Sequence, residues 1–166
     1  MNKTLIAAAA AAAALVAAPA MAQDGQSYMN IGYGHIDIEG IDLGAATIRV
    51  GTKVHQYFGV ELEASMGVND EGPAGFETSL GQSGAIYAVG HFPVGEQFDL
   101  MARAGWGRSK YEVAGFSATD SSWNYGVAGQ FNIDENQGVR VDWTRHDFED
   151  FSTEADVYSV SYVRKF

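Results

Sequence analysis

The chain of 166 residues has no cysteine, so neither a disulfide framework nor a thiolate metal site or Cys nucleophile is available to it. It has three prolines, few enough to leave long uninterrupted elements. Positive charge is scarce: ten Lys and Arg stand against 21 Asp and Glu, for a formal net charge of −11, which argues against nucleic acid as a partner. After the first 22 residues there is no apolar run of the roughly 18 residues that a transmembrane helix needs. No linker or low-complexity stretch divides the remainder, so one domain is expected there.

Glycine (20 residues) and aromatics (9 Phe, 8 Tyr, 3 Trp) are plentiful, a composition suited to strands joined by many turns. At the N-terminus Lys3 precedes an apolar run, Leu5 to Ala18, followed by Pro19 and the small-x-small site Ala20-Met21-Ala22. That three-part layout is a secretory signal peptide, residues 1–22, cleaved after Ala22 to leave a domain of residues 23–166. The alternative, a membrane-spanning helix, needs about 20 apolar residues, more than this Ala-rich run offers.

Alternation with period two marks eight strands, at 27–38, 43–54, 57–68, 83–92, 98–109, 122–132, 139–146 and 156–166. The third is clearest, with Phe58, Val60, Leu62, Ala64, Met66 and Val68 opposite Gly59, Glu61, Glu63, Ser65 and Gly67. In 83–92 Ile86 and Ala88 compete with Tyr87 and Val89 for the apolar face, and the facing stays open. The connections His55-Gln56, Pro93 to Gln97 and Ile133 to Gly138 are short, as is the first, around Glu39 to Asp42. Those at 69–82, 110–121 and 147–155 are longer. Short turns on one rim and long loops on the other describe a transmembrane barrel with both termini at the periplasmic end.

A soluble ligand-binding barrel would share the period with its apolar face inward. Three features favour the inverted arrangement. The polar face carries Gly32, Gly34, Gly51, Gly59, Gly67, Gly105 and Gly126, which suit a narrow eight-stranded lumen. Phe58, Phe98, Phe131 and Phe166 gather near the short-turn rim, and Trp106, Trp123, Tyr125 and Tyr158 towards the other, as two interfacial girdles do. The last strand alternates strictly and places Tyr158, Val160, Tyr162, Arg164 and Phe166 on one face.

This terminal strand resembles the C-terminal strand of bacterial outer-membrane barrels, where an aromatic-rich pattern ending in Phe is the signal read by the barrel assembly machinery; Arg164 departs from it. With YFGVELEASMGV (57–68), FDLMARAGWGRS (98–109), WNYGVAGQF (123–131), GVRVDWTRHDF (138–148) and DVYSVSYVRKF (156–166), the chain is similar to the small outer-membrane β-barrel family that includes the OmpA membrane domain and the opacity-type, or "porin family", proteins. The resemblance implies an all-β, eight-stranded, antiparallel up-and-down transmembrane barrel in the outer membrane of a Gram-negative bacterium. It also implies a monomer without cofactor, and, with no residue after Phe166, no peptidoglycan-binding domain. It does not select among adhesins, stabilising proteins and lipid-modifying enzymes.

A charge facing lipid near the membrane midplane costs about 2–4 kcal/mol, so Arg103 is expected in the lumen, as are Arg49, Glu61, Glu63, Arg140 and Asp142. Buried charges must be paired. Inward positions of strands two and three are both odd-numbered, and a three-residue turn sets Arg49 against Glu63 or Glu61. A salt-bridge plug follows, as resemblance to the OmpA domain also implies; an ion pathway is the alternative.

Other chemistry is thinly signalled. His35 with Asp37, and His146 with Asp147, fall near the outer rim without a nucleophile motif, and His55 and His91 are expected in periplasmic turns. No catalytic, metal or cofactor residues are assigned, and no enzyme activity is expected; an enzyme acting at the outer rim is the competing class. Arg108 and Lys110 share parity with Trp106, and Arg145 with Trp143, so these three are candidate contacts for lipopolysaccharide phosphates. Acidic residues expected in the outer loops (Asp70, Glu71, Glu77, Asp120, Glu149, Asp150, Glu154 and Asp156) could bridge to lipopolysaccharide through divalent cations.

Overall fold

The computed structural model describes residues 26–38, 41–68, 78–113, 116–148 and 154–166. The expected signal peptide lies outside the described residues, as do the loop acids Asp70, Glu71, Glu77, Glu149 and Asp150.

Alternating sequence becomes eight strands: β1 (Ser27–Ile38), β2 (Ile41–His55), β3 (Phe58–Gly67), β4 (Thr78–Pro93), β5 (Phe98–Val113), β6 (Phe116–Asn132), β7 (Gln137–Phe148) and β8 (Glu154–Lys165). Each pairs antiparallel with the next, and β8 returns to β1, closing the barrel and leaving no edge. The seam runs from Tyr28 opposite Lys165 to Asp37 opposite Asp156, and the Phe166 amide extends it by donating to the Ser27 carbonyl at 2.9 Å.

All eight expected strands are present, but β4, β5 and β6 reach four to six residues further outward than alternation indicates, and β2, β7 and β8 two residues. β4 begins at Thr78, and much of the expected loop 110–121 is ladder, with Lys110 opposite Thr119 and Glu112 opposite Ser117. Over 110–121 the apolar residues Tyr111, Val113, Phe116 and Ala118 share the parity of the lumen positions rather than of the lipid-facing ones, so the pattern that marks the wall breaks off while the backbone ladder continues. Asp120 therefore stands on β6 rather than in a loop, buried and facing inward, and Glu154 and Asp156 belong to β8. On the opposite rim the turn between β4 and β5 closes with the Val94 amide donating to the Phe98 carbonyl at 2.7 Å, and Gly95 supplies its positive φ of 86°.

The side chains are distributed inside out. Ile31, Tyr33, Val60, Leu100, Val127, Val141 and Val160 are exposed on the outer wall, whereas Asn30, Arg49, Glu61, Arg103, Asn124 and Arg140 are buried in the lumen. A soluble barrel requires the reverse. The open facing of β4 is resolved by Tyr87 and Val89, both 1% exposed, against Ile86 at 53%. His91 shares their side: it is a buried lumen residue on β4, not a turn residue, because the strand continues to Pro93. Within the lumen Ile36, Leu43, Ala45, Phe148 and Ala155 form an apolar cluster towards the outer end, and Tyr87, Val89, Met101 and Ala128 another along β4–β6.

The narrow bore requires glycine where neighbouring backbones approach most closely. A Cβ at Gly105 would collide with the Ile86 carbonyl, and one at Gly126 with the Trp143 carbonyl. Neither neighbour is a flexible side chain, so the sheet itself would have to move.

Two predictions follow from this wall. Gly126→Val is expected to destabilise the barrel by about 1–3 kcal/mol, the usual cost of overpacking, as read from urea unfolding in micelles; an unchanged midpoint would contradict the close approach. Phe166→Ala is expected to lower the yield of the folded, heat-modifiable form in the outer membrane, scored by gel mobility of boiled and unboiled samples, with unchanged yield counting against a signal in β8.

Candidate functional site: a charge ring in the lumen

The six charged residues expected in the lumen come from four strands: Arg49 on β2, Glu61 and Glu63 on β3, Arg103 on β5, Arg140 and Asp142 on β7. Arg49 is directly opposite Glu63, one of the two registers open from the turn. Its Nε lies 2.6 Å from the Glu63 carboxylate, while its Nη1 reaches across the barrel to Asp142 at 3.2 Å. Arg103 joins Glu63 at 3.0 Å and Glu61 at 2.9 Å. Arg140 joins Glu61 at 2.7 Å and Asp142 at 2.7 Å.

Taken in order, these contacts close on themselves. Arg49, Glu63, Arg103, Glu61, Arg140 and Asp142 form an alternating ring in which every cation touches two anions and every anion two cations. Three positive and three negative groups cancel. All six side chains are at most 7% exposed.

Neutral side chains complete the valences of the ring. The Tyr28 hydroxyl donates to Glu61 at 3.1 Å, and Arg103 donates to the Thr144 hydroxyl at 2.7 Å from Nη2 and 3.1 Å from Nε. Arg49 donates to Ser159 at 3.1 Å, whose hydroxyl lies 3.3 Å from Asp142. The Arg103 guanidinium carbon lies over the Tyr87 ring, 4.3 Å from its centroid, and the Tyr87 hydroxyl receives a 3.2 Å hydrogen bond from Asn124. These supports are missing from the sequence reading. Tyr28 reads as one more interfacial aromatic unless its parity with Asn30, Gly32 and Gly34 is followed, and Tyr87 lies on the strand whose facing alternation leaves open.

The outer-rim residues divide. Arg145 points outward, its guanidinium 5.7 Å from the Trp143 ring centroid, but carboxylates of its own chain hold it: Asp156 at 2.8 Å and Glu154 at 2.9 Å. Arg108 and Lys110 are exposed on β5 above Trp106. Tyr158, Val160, Tyr162 and Phe166 all lie exposed on the outer wall of the terminal strand region. The paired rim histidines do not converge on one centre. His146 is opposite buried Asn124 and Asp147 opposite exposed Trp123, so these neighbours face opposite sides of the wall. His35 and Asp37 are both exposed on β1.

A closed eight-stranded wall, an apolar exterior banded by aromatics and a charged interior define a small transmembrane barrel. Over residues 8–166 the chain matches the family model described as outer membrane protein beta-barrel domain, and it belongs to that family; it is a protein of the Gram-negative outer membrane. Among solved structures it is similar to Ail, the attachment invasion locus protein of Yersinia pestis, at 17% identity and a TM-score of 0.62, covering 87% of this chain and 100% of that one. It is also similar to Neisserial surface protein A (13% identity, TM-score 0.62, 86% and 97% covered). A third similar structure is the N-terminal barrel domain of Pseudomonas aeruginosa OprF (11% identity, TM-score 0.59, 84% and 99% covered). At these identities the likeness is one of fold. No curated protein matches the chain.

Removing one member of the ring leaves its two partners buried with an unmet charge. Arg140→Met is expected to cost about 3–5 kcal/mol in urea unfolding from micelles. The double variant Arg140→Met with Glu61→Gln should lose less than the sum of the two single losses, because the second change removes the charge that the first orphans. Additive losses would mean that the two side chains do not interact.

Proposed function

We propose that this protein is a structural or surface-interaction barrel rather than an enzyme or an open pore, with the charge ring as the plug of its lumen. The ring is the observation that carries the reading. It draws side chains from opposite walls into direct contact, and an eight-stranded barrel has room for side chains but not for a wide aqueous channel beside them. The apolar cluster of Ile36, Leu43, Ala45, Phe148 and Ala155 adds a second obstruction. The partners of such a barrel are the lipid around it, lipopolysaccharide at its outer rim and, during insertion, the assembly machinery that reads Tyr158, Val160, Tyr162 and Phe166; it acts as a monomer.

Planar-bilayer recording tests the plug. Insertions of the purified chain are expected to give small or no steady conductance, and a large, stable, ohmic pore would refute it.

Arg108 supports the lipopolysaccharide reading better than Arg145 does, because Arg145 already has two carboxylates of its own chain to satisfy. A cation above a Trp girdle can reach headgroup phosphates, whose oxygens accept charge-assisted hydrogen bonds. Arg108→Gln is expected to lower the thermal midpoint in lipopolysaccharide-containing bilayers more than in neutral detergent, while Arg145→Gln should lower it similarly in both. Equal losses for Arg108→Gln in the two media would remove lipopolysaccharide from the account.

A further inference from the structure

On the periplasmic side of the ring the lumen wall carries cations that the ring does not neutralise. Lys165 is inward-facing and only 9% exposed. Its ammonium donates to the Asn132 side-chain oxygen at 2.7 Å, a neutral acceptor, and forms no ion pair among the described residues. The same amide donates from Nδ2 to Asp99 at 3.3 Å, so Asn132 bridges the lysine and that carboxylate. Lys53, opposite Gly59 on the inner wall, lies within electrostatic range of Lys165, as do Asp99 and Asp134. No side-chain partner engages the Lys53 ammonium among the described residues.

Facing these two is His91, 2% exposed, its ring edge-on to Tyr28 at 6.3 Å and within electrostatic range of Lys53 and Asp99 and of Arg140 and Glu61 of the ring. Neither of its ring nitrogens has a hydrogen-bond partner among the described residues. One step deeper, Asn30 is 1% exposed, and neither its side-chain nitrogen nor its oxygen has a hydrogen-bond partner among the described residues. Buried polar groups are ordinarily satisfied, and a buried ammonium calls for a counter-charge. Asp99 and Asp134 both lie within electrostatic range of Lys165, but neither forms an ion pair with its ammonium among the described residues. The groups left over are mostly donors: two N–H of Lys165, the Lys53 ammonium, one imidazole N–H and the Asn30 amide.

We propose that the periplasmic mouth of the lumen is a binding site for a small phosphate-type oxyanion, held by Lys165, Lys53 and His91, with Asn30 behind them. The shared chemistry is a tetrahedral anion with several acceptor oxygens, supplied as free phosphate from the periplasm or as the headgroup of a phospholipid in the inner leaflet. The site is distinct from the ring and does not depend on whether the barrel conducts.

The test uses the full chain refolded in phosphatidylcholine nanodiscs. The His91 imidazole signals in NMR spectra are identified by their loss in His91→Gln. Inorganic phosphate titrated against chloride at constant ionic strength is expected to shift them saturably. Lys53→Gln and Lys165→Gln should each weaken the response at least about tenfold, the loss of one charge-assisted hydrogen bond. A second arm replaces part of the phosphatidylcholine with phosphatidylglycerol, without free phosphate. A response there, but not to phosphate, that is lost in Lys53→Gln assigns the anion to the lipid headgroup. Absence of any response in both arms, or a response equal in wild type and the lysine variants, overturns the site. Should Lys165→Gln fail to fold, the more exposed Lys53 decides the outcome alone.

Discussion

Desolvation of charge in a narrow bore governs this molecule. The wall must present apolar side chains to lipid, so alternation sends every second residue inward, into a space where charges are far from bulk water. Several kcal/mol per ion are lost in that transfer, and attraction between charges offsets it only when every charge is met with good geometry. Three arginines and three carboxylates meet the condition by alternating around a closed circuit, with each guanidinium shared between two acids. Much else follows from accommodating that circuit. Glycines at 105 and 126 keep the wall thin, Tyr28 and Tyr87 brace the ring from below and beside it, and Thr144 and Ser159 take up the hydrogen bonds that the ions leave.

Much of this was legible in the sequence. A period of two fixes the facing of a strand, and the cost of a lipid-exposed arginine decides which face holds the lumen, so Arg49, Arg103 and Arg140 could be placed before any coordinates. The parity argument for β2 and β3 worked because the intervening turn is short and both strands have one polar face. It left Glu61 and Glu63 undivided, and the ring explains why neither choice was complete: Glu63 takes Arg49, while Glu61 takes Arg103 and Arg140 from strands far along the chain. Contacts between walls depend on barrel stagger, which no local pattern encodes.

The misreadings have the same origin. β4 carries small apolar residues on both faces near Ala85 and Ala88, so its alternation was weak and His91 drifted into a turn. Lys110 to Ser121 read as a loop because its apolar residues, Tyr111, Val113, Phe116 and Ala118, fall on the parity of the lumen positions, out of step with the lipid-facing pattern. At the outer rim, parity correctly set Arg145 beside Trp143 but gave no sign that Asp156 and Glu154 would claim it, since these acids read as part of a solvated loop.

The circuit also bears on how the barrel comes together. Its two longest reaches, Arg49 to Asp142 and Arg140 to Glu61, join residues separated by 93 and 79 positions. Loop closure of that span must precede any reward from the contact. An unclosed sheet would therefore hold Arg49 of β2 and Glu61 of β3 apart from Asp142 and Arg140 of β7, all hydrated, and only the final docking of β8 on β1 brings them within reach while squeezing water out. Closing the seam and neutralising the interior become one event. Partly zipped forms keep strongly solvated groups that resist entry into the bilayer core, so the interior charges favour an all-or-none passage into the membrane over a gradual one.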